Sequence, residues 1–85
     1  MNADVKRDRV RKTILKLISD GCTRYTDIEQ DASMKCKNFA SRNVVTRQFY
    51  KYLVAHGYVE RIRLGRYRLT ENGEDLLAVL SSVYT

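Results

Sequence analysis

Residues 58–70 alternate apolar and polar side chains with the two-residue period of a β-strand, around the tight-turn signal Leu64-Gly65. The pattern predicts a β-hairpin. With a two-residue turn, four arginines would lie on one side of it as facing pairs, Arg63 with Arg66 and Arg61 with Arg68. The side chains expected to point to the core are Ile62, Tyr67 and Leu69.

The facing arginines are unfavourable in a hairpin that has no partner. Like charges directly opposite each other destabilise a sheet by roughly a few tenths of a kcal/mol or more. An anionic partner would neutralise them, through phosphate contacts or through an arginine that enters the minor groove of DNA. The alternative is a solubilising edge on which the side chains spread apart.

Helical spacing dominates the first part of the chain. The first helix is predicted from about Val5 to Asp20, with Gly21 as a left-handed stop. Its apolar stripe consists of Val10, Ile14, Leu17 and Ile18. Thr26 and Glu29 have the spacing of a capping box, which predicts that a second helix begins at Thr26. Just before it, Arg24 and Tyr25 are a candidate one-bond strand against the hairpin.

The connection to the third helix is longer than the turn of about three or four residues in a minimal helix-turn-helix. Residues 31–40 contain no Gly or Pro that would mark an end of the second helix. Met34 and Phe39 indicate that the segment stays packed. It is therefore expected either as extra helical turns or as an ordered loop.

Ser41 is the predicted N-cap of the third helix, which is expected to run to a stop at Gly57. Its buried face is predicted to consist of Val45, Phe49, Tyr52 and Leu53. The opposite face has hydrogen-bond donors, one aromatic ring and no carboxylate: Arg42, Asn43, Thr46, Arg47, Tyr50 and Lys51. Such a face suits a DNA major groove, where Arg binds guanine, Asn binds adenine, and Thr or Tyr binds phosphate or thymine.

Thr70 is the predicted N-cap of the last helix, whose first turns are acidic, as the helix dipole favours. The apolar residues that follow cover more than one stripe, which is more than one small core can use. We favour a dimer interface formed by Leu77, Leu80, Val83 and Tyr84. The alternative is a helix buried in the core of a single chain.

The distribution of charge predicts a nucleic-acid-binding protein, and the length of the chain predicts a homodimer. The net charge is +6, but residues 32–70 alone hold nine Lys and Arg against Glu60. One strongly basic segment in a neutral-to-acidic chain is typical of a phosphate-backbone binder, with a solvated basic face as the alternative. A chain of 85 residues buries only a small core, and pairing would enlarge it, so a homodimer is expected.

Several other classes of protein are not expected. Cys22, Cys36 and the single His56 do not make a metal-ligand set, so no metal or cofactor is predicted. The cysteines are expected as free thiols, with a Cys22–Cys36 disulfide as the alternative. An enzyme is not expected, because the chain lacks a phosphate loop, a nucleophile paired with histidine and an isolated carboxylate pair. No segment resembles a membrane span or a signal peptide, which favours a cytoplasmic protein.

Two stretches resemble winged-helix regulators of the MarR and PadR types. They are the sequence from His56 to Arg61 (HGYVER) and that from Arg66 to Leu77 (RYRLTENGEDLL). These are similar to the wing and the following helix of such regulators, which often have the sequences Gly-Leu-Val-Glu-Arg and Leu-Thr-x-x-Gly-x-x-Leu. The spacing of Phe49, Leu53 and Gly57 also resembles the end of their recognition helix.

The resemblance implies one winged helix-turn-helix domain over residues 1–85, of the α+β class: helix 1, helix 2, helix 3, hairpin wing, helix 4. It implies that Ser41 to Lys51 enter the major groove and that Arg61 to Arg68 form the wing at the flanking backbone or minor groove. It also implies dimerisation through terminal helices and a two-fold DNA site. Small winged-helix proteins of archaea, their viruses and their plasmids are similar in size.

The expected function is therefore sequence-specific binding of double-stranded DNA by a transcription regulator associated with the nucleoid. Two alternatives stay open. One is a partition or architectural protein that coats a DNA array. The other is a protein-interaction module whose arginines dock an acidic partner.

Overall fold

A computed structural model of the chain describes residues 2–84. Its helices are α1 (Ala3–Ser19), α2 (Tyr25–Cys36), α3 (Arg42–Arg47) with a π-helical continuation (Gln48–Val54), and α4 (Glu71–Val83). Between the π-helical segment and α4, strands β1 (Val59–Arg63) and β2 (Arg66–Leu69) form an antiparallel hairpin. The predicted class, mainly helical with one β-hairpin, is confirmed.

Helix α1 is the centre of the packing and contacts α2, α4, β2 and the π-helical segment. It begins two residues before the predicted start, because the Asn2 side chain accepts a hydrogen bond from the Val5 amide (2.9 Å) and caps the first turn. The chain leaves it at Gly21, whose φ of 105° confirms the predicted stop. Leu15 is fully buried in α1, whereas the predicted Leu17 is only partly buried.

Helix α2 begins at Tyr25, so the predicted capping box at Thr26 is wrong. The Tyr25 amide donates to the Gly65 carbonyl of the hairpin (2.9 Å), and Arg24 forms a single antiparallel bridge with Arg66. The hairpin thus satisfies the amide at the helix start, and no side-chain cap forms. The bridge confirms the predicted one-bond strand at Arg24, while Tyr25 is already helical.

The connection between α2 and α3 contains both of the predicted alternatives, extra helical residues and an ordered turn. Helix α2 continues to Cys36, and a short turn follows in which the amides of Phe39 and Ala40 donate to the Cys36 carbonyl. Ala40 is buried and Phe39 partly so. Met34 is 63% exposed, so the expectation that it packs inward is wrong.

The third helix changes from α to π geometry after the six residues of α3. Ser41 caps it as predicted, accepting from the Val44 amide at 3.3 Å. Farther on, the Ala55 amide donates to the Tyr50 carbonyl five residues earlier (3.1 Å). The buried residues Val45, Phe49 and Leu53 are spaced by four, and a turn wider than 3.6 residues keeps such a series on one face. The helical path ends at Gly57, where φ is 78°.

The hairpin contains a β-bulge that the sequence pattern did not predict. The pairs are Val59 with Leu69, Glu60 with Arg68, Arg61 with Tyr67, and Arg63 with Arg66, and the register shifts between Arg61 and Arg63. The predicted pair of Arg63 and Arg66 is confirmed, whereas that of Arg61 and Arg68 is wrong. The bulge also turns Ile62 outward, where it is 48% exposed instead of in the core. Tyr67 is buried as predicted, and Leu69 is partly buried.

Helix α4 is capped by Thr70, as predicted. The Thr70 hydroxyl accepts from the Gly73 amide (3.1 Å) and donates to the Gly57 carbonyl (2.5 Å). It thereby joins the end of the hairpin to the end of the third helix. At the other end of α4, the Tyr84 hydroxyl donates to Asp8 of α1 (2.9 Å), and Lys12 donates to the Tyr84 carbonyl.

Candidate nucleic-acid interface

Three arginines lie side by side across the hairpin and the strand-like residue before α2. Arg24 pairs with Arg66, and Arg66 pairs with Arg63. Directly opposed residues have Cβ atoms about 4.5 to 5.5 Å apart and share a face of the sheet, so Arg24, Arg66 and Arg63 form one arginine row. Within residues 2–84, no carboxylate lies within ion-pair distance of any of them. Such a row is unfavourable unless an anion neutralises it.

The arginine row is fixed to the body of the protein. The Tyr67 amide donates to the Thr23 carbonyl (2.8 Å), and the Arg66 guanidinium donates to the Thr23 hydroxyl (3.3 Å). Together with the bond from Tyr25 to Gly65, these contacts hold β2 and the turn against the segment before α2. The arginines are therefore presented from a rigid surface rather than from a loose loop.

Arg24 is the residue of this site that sequence reasoning missed. Its predicted one-bond pairing with the hairpin was the signal that could have identified it, because a partner of Arg66 extends the series of like charges. Arg68, which sequence reasoning included, shares the face of Arg66 but is paired with Glu60 at 2.5 Å. Arg61 lies opposite Tyr67 and outside the row.

The polar face of the third helix is exposed along its length. Arg42, Asn43, Arg47, Tyr50 and Lys51 are exposed, as is the cap Ser41, and Thr46 is partly buried. This face has no carboxylate of its own, as the sequence shows. In the fold, however, Glu29 of α2 forms an ion pair with Arg42 at 3.2 Å. One carboxylate therefore lies at the beginning of the face.

A tyrosine cluster joins the helical face to the hairpin. The ring of Tyr25 lies 5.2 Å from that of Tyr50 and 6.2 Å from that of Tyr67. Burial raises the pKa of the Tyr50 hydroxyl, and the neighbouring Tyr67 acts in the opposite direction. The cluster lies on the face of the hairpin that carries Tyr67, whereas the arginine row lies on the other face, because neighbouring residues of a strand point to opposite sides.

The same cluster brings in Thr46 and Arg61. Burial raises the pKa of the Tyr25 hydroxyl, the neighbouring Glu29 raises it further, and the neighbouring Thr46 lowers it. Burial likewise raises the pKa of Tyr67, against the smaller lowering effect of the nearby Arg61 charge. The tyrosine cluster thus links the third helix to the face of the hairpin that carries Tyr67 and Arg61.

The four residues predicted for a dimer interface do not share one environment. Leu80 is buried, and Leu77 and Tyr84 are partly buried against the core of the same chain. Val83 is 63% exposed, and Val79, which was not predicted, is 57% exposed. Of the four predicted residues, Val83 is therefore the one whose side chain is most exposed and thus accessible to a second copy. Dimerisation stays a prediction.

Other kinds of site find little support in the described part of the chain. Cys22 and Cys36 are free thiols, and burial raises the pKa of both. Among residues 2–84, no three His, Cys, Asp or Glu side chains are grouped to hold a metal ion. None of the described helices is long and apolar enough to cross a bilayer.

The chain matches no protein-family model, no curated protein and no solved structure. The resemblance to winged-helix regulators therefore stays a prediction. The geometry of the arginine row, the tyrosine cluster and the third helix is what supports a functional assignment.

Proposed function

We propose that this chain is a winged helix-turn-helix protein that binds double-stranded DNA and acts as a homodimeric transcription regulator. The third helix would enter the major groove, and the hairpin would contact the flanking backbone or minor groove. The observation that carries the proposal is the arginine row of Arg24, Arg66 and Arg63 on the hairpin.

Phosphate is the anion that fits the arginine row best. A guanidinium presents donors in a fork that matches two phosphate oxygens, and such charge-assisted pairs are short and strong. A phosphodiester backbone also repeats its charge along a line, as the row does. Binding would relieve the repulsion that the three neighbouring arginines impose on the free protein.

The third helix supplies groups that discriminate bases. Asn43 and Arg47 are exposed one turn apart in its first half, the part of a recognition helix that contacts base edges in helix-turn-helix proteins. Arginine pairs with guanine and asparagine with adenine through two hydrogen bonds each. Sequence preference is therefore expected from the helix, and sequence-independent affinity from the arginine row.

Selection of bound sequences from random duplex DNA, followed by footprinting on the enriched site, tests the proposal. A discrete site with two-fold symmetry is expected. A footprint that spreads with protein concentration would instead indicate a protein that coats DNA. Failure to bind any duplex at low salt would contradict DNA binding and favour an acidic protein partner.

Two substitutions separate the roles of helix and hairpin. Arg47→Ala should lower affinity for the enriched site by about 1 to 3 kcal/mol and relax the base preference. Arg63→Gln should weaken binding to enriched and random duplexes by the same factor. Lys16→Gln, which removes a charge from the exposed side of α1, is the control. It should change neither the affinity for DNA nor the preference for the enriched site over random duplexes. The opposite pattern for Arg47 and Arg63 would mean that the two roles are exchanged.

A further inference from the structure

The turn of the hairpin exposes two large aliphatic side chains between arginines. Leu64 is 88% exposed, more than any other large hydrophobic residue described, and Ile62 is 48% exposed. Ile62 faces outward because the β-bulge lies at its position. Single exposed hydrophobic residues are common, but two beside each other in a strongly basic turn form a local apolar tip.

The backbone of the turn does not require a leucine. Gly65 has a φ of 74°, in the left-handed region that favours glycine, whereas Leu64 has no positive φ. Turns in general favour Gly, Pro, Asn, Asp and Ser over leucine, and a polar residue would be better hydrated at this exposed position. Folding therefore does not explain the exposed side chain of Leu64.

The apolar tip is held rigidly. The carbonyl of Gly65 accepts a hydrogen bond from the Tyr25 amide, and Arg66 is held by its bridge to Arg24 and its bond to the Thr23 hydroxyl. A side chain on a fixed turn keeps its position when it is pressed against another molecule. A flexible loop would fold back instead.

The charges around the apolar tip indicate the kind of molecule that it contacts. The arginine row begins next to the turn, with Arg63 before Leu64 and Arg66 after Gly65. An apolar side chain between guanidinium groups complements a DNA minor groove, in which sugars and base edges lie between two lines of phosphates. Proteins that bend DNA from this groove insert such apolar side chains between base pairs.

We propose that Leu64 is a wedge that the hairpin turn inserts into the minor groove, where it opens a flexible base step and bends the duplex. Arg63 and Arg66 hold the flanking phosphates, and Ile62 packs on the sugars beside the wedge. The proposal rests on the proposed DNA binding, and it adds a defined deformation and a preference for deformable sequence. Pyrimidine–purine steps such as TA open most easily, so they are the preferred targets.

The test uses two duplexes of about 30 base pairs with a donor and an acceptor dye at their ends, one with central TA steps and one with a stiff A-tract. The wild-type chain is compared with Leu64→Asn, which suits the turn and should fold at least as well. Arg63→Gln is the matched variant, because it removes a phosphate contact and keeps the wedge. Energy transfer at saturation reports the bend, and titration reports the affinity.

The wild-type chain should increase energy transfer in the TA duplex and bind it about fivefold more tightly than the A-tract duplex. Leu64→Asn should lose both the increase and the preference while still binding. Arg63→Gln should bind both duplexes more weakly but keep the full increase at saturation. Equal bending by wild type and Leu64→Asn would overturn the wedge and leave DNA binding intact. No binding of either duplex at low salt would overturn DNA binding and the wedge together.

Discussion

Glu29 is the residue that most directly limits the proposed interface. Its carboxylate lies 3.2 Å from the Arg42 guanidinium, and its side chain is 24% exposed. It also contributes, after burial, to the raised pKa of Tyr25. A carboxylate at this position competes with phosphate for Arg42 and repels the backbone. Glu29 would therefore lower the sequence-independent affinity for DNA. Base contacts would then determine which sequences are bound.

Replacing Glu29 with Gln should tighten binding to random duplex DNA by about fivefold at low salt, which corresponds to the upper range of an exposed ion pair. The base preference should fall, because phosphate contacts would contribute more to every complex. Fluorescence anisotropy on labelled random and enriched duplexes measures both quantities. Glu71→Gln, in the exposed first turn of α4, changes the same charge and should have little effect. Unchanged or weaker binding by Glu29→Gln would contradict the assigned role.

At the scale of secondary-structure elements, the helix caps and stops that depend on a few neighbouring residues were predictable from the sequence. The caps Ser41 and Thr70 and the stop at Gly57 depend on a few neighbouring residues, and all three are confirmed. The hairpin itself was predictable for the same reason. The bulge was not, because one inserted residue leaves the alternation of β2 intact but shifts the partner of Arg61.

The candidate site was predictable in part. The polar face of the third helix follows from spacing alone. The arginine row does not, because Arg24 is separated from Arg63 by α2 and the third helix and meets it only through Arg66. Glu29 was missed for the same reason, since its partner Arg42 belongs to another helix.

Gly73 sets how closely α4 approaches the hairpin. A Cβ atom at this position would lie 1.9 Å from the Tyr58 carbonyl oxygen, which is a backbone atom that cannot rotate away. Gly73→Ala should therefore lower the free energy of unfolding by about 2 kcal/mol, despite the higher helix propensity of alanine. Urea denaturation followed by circular dichroism measures the loss.

The control for this prediction is Asn72→Ala, on the exposed side of the same helical turn. It should leave stability unchanged or raise it slightly. Equal stability of Gly73→Ala and the wild-type chain would show that α4 does not pack at this distance.

At the scale of the whole molecule, α1 holds the third helix through a polar network beneath the proposed interface. Arg11 donates to the buried Gln48 side chain (2.8 Å), lies 3.4 Å from the centre of the Tyr52 ring and pairs with Asp8 (3.2 Å). Asp8 in turn accepts from Tyr84. The network positions the third helix relative to α1 and to the end of α4. Tyrosines take part both in this network and in the tyrosine cluster.

Four phenols and one thiol whose pKa values are raised by burial predict a loss of stability in alkali. Burial raises the pKa of Tyr25, Tyr50, Tyr52 and Tyr67 above 10.0 and that of Cys36 above 9.0. An unfolded chain therefore releases these protons at lower pH than the folded chain does. Their contribution is fully present well below pH 9 and is lost as the pH rises through the range in which the thiol and the phenols of the folded chain ionise.

Urea midpoints at pH 7, 9 and 10.5 measure this decline, and Tyr67→Phe should make the decline above pH 9 shallower. An account based on net charge alone predicts the opposite, because repulsion is smallest near the isoelectric point of about 9.6. A stability maximum near that pH would contradict the assigned role of the buried groups.

The salt dependence of binding to duplex DNA tests the central claim most directly. If the arginine row and the third helix neutralise about six phosphates, the logarithm of the binding constant should fall with the logarithm of salt concentration at a slope near −5. The double variant Arg24→Gln with Arg63→Gln should reduce the slope to about −3.5, since two phosphate contacts are lost. A slope near zero for the wild-type chain would contradict the claim that this surface binds the DNA backbone.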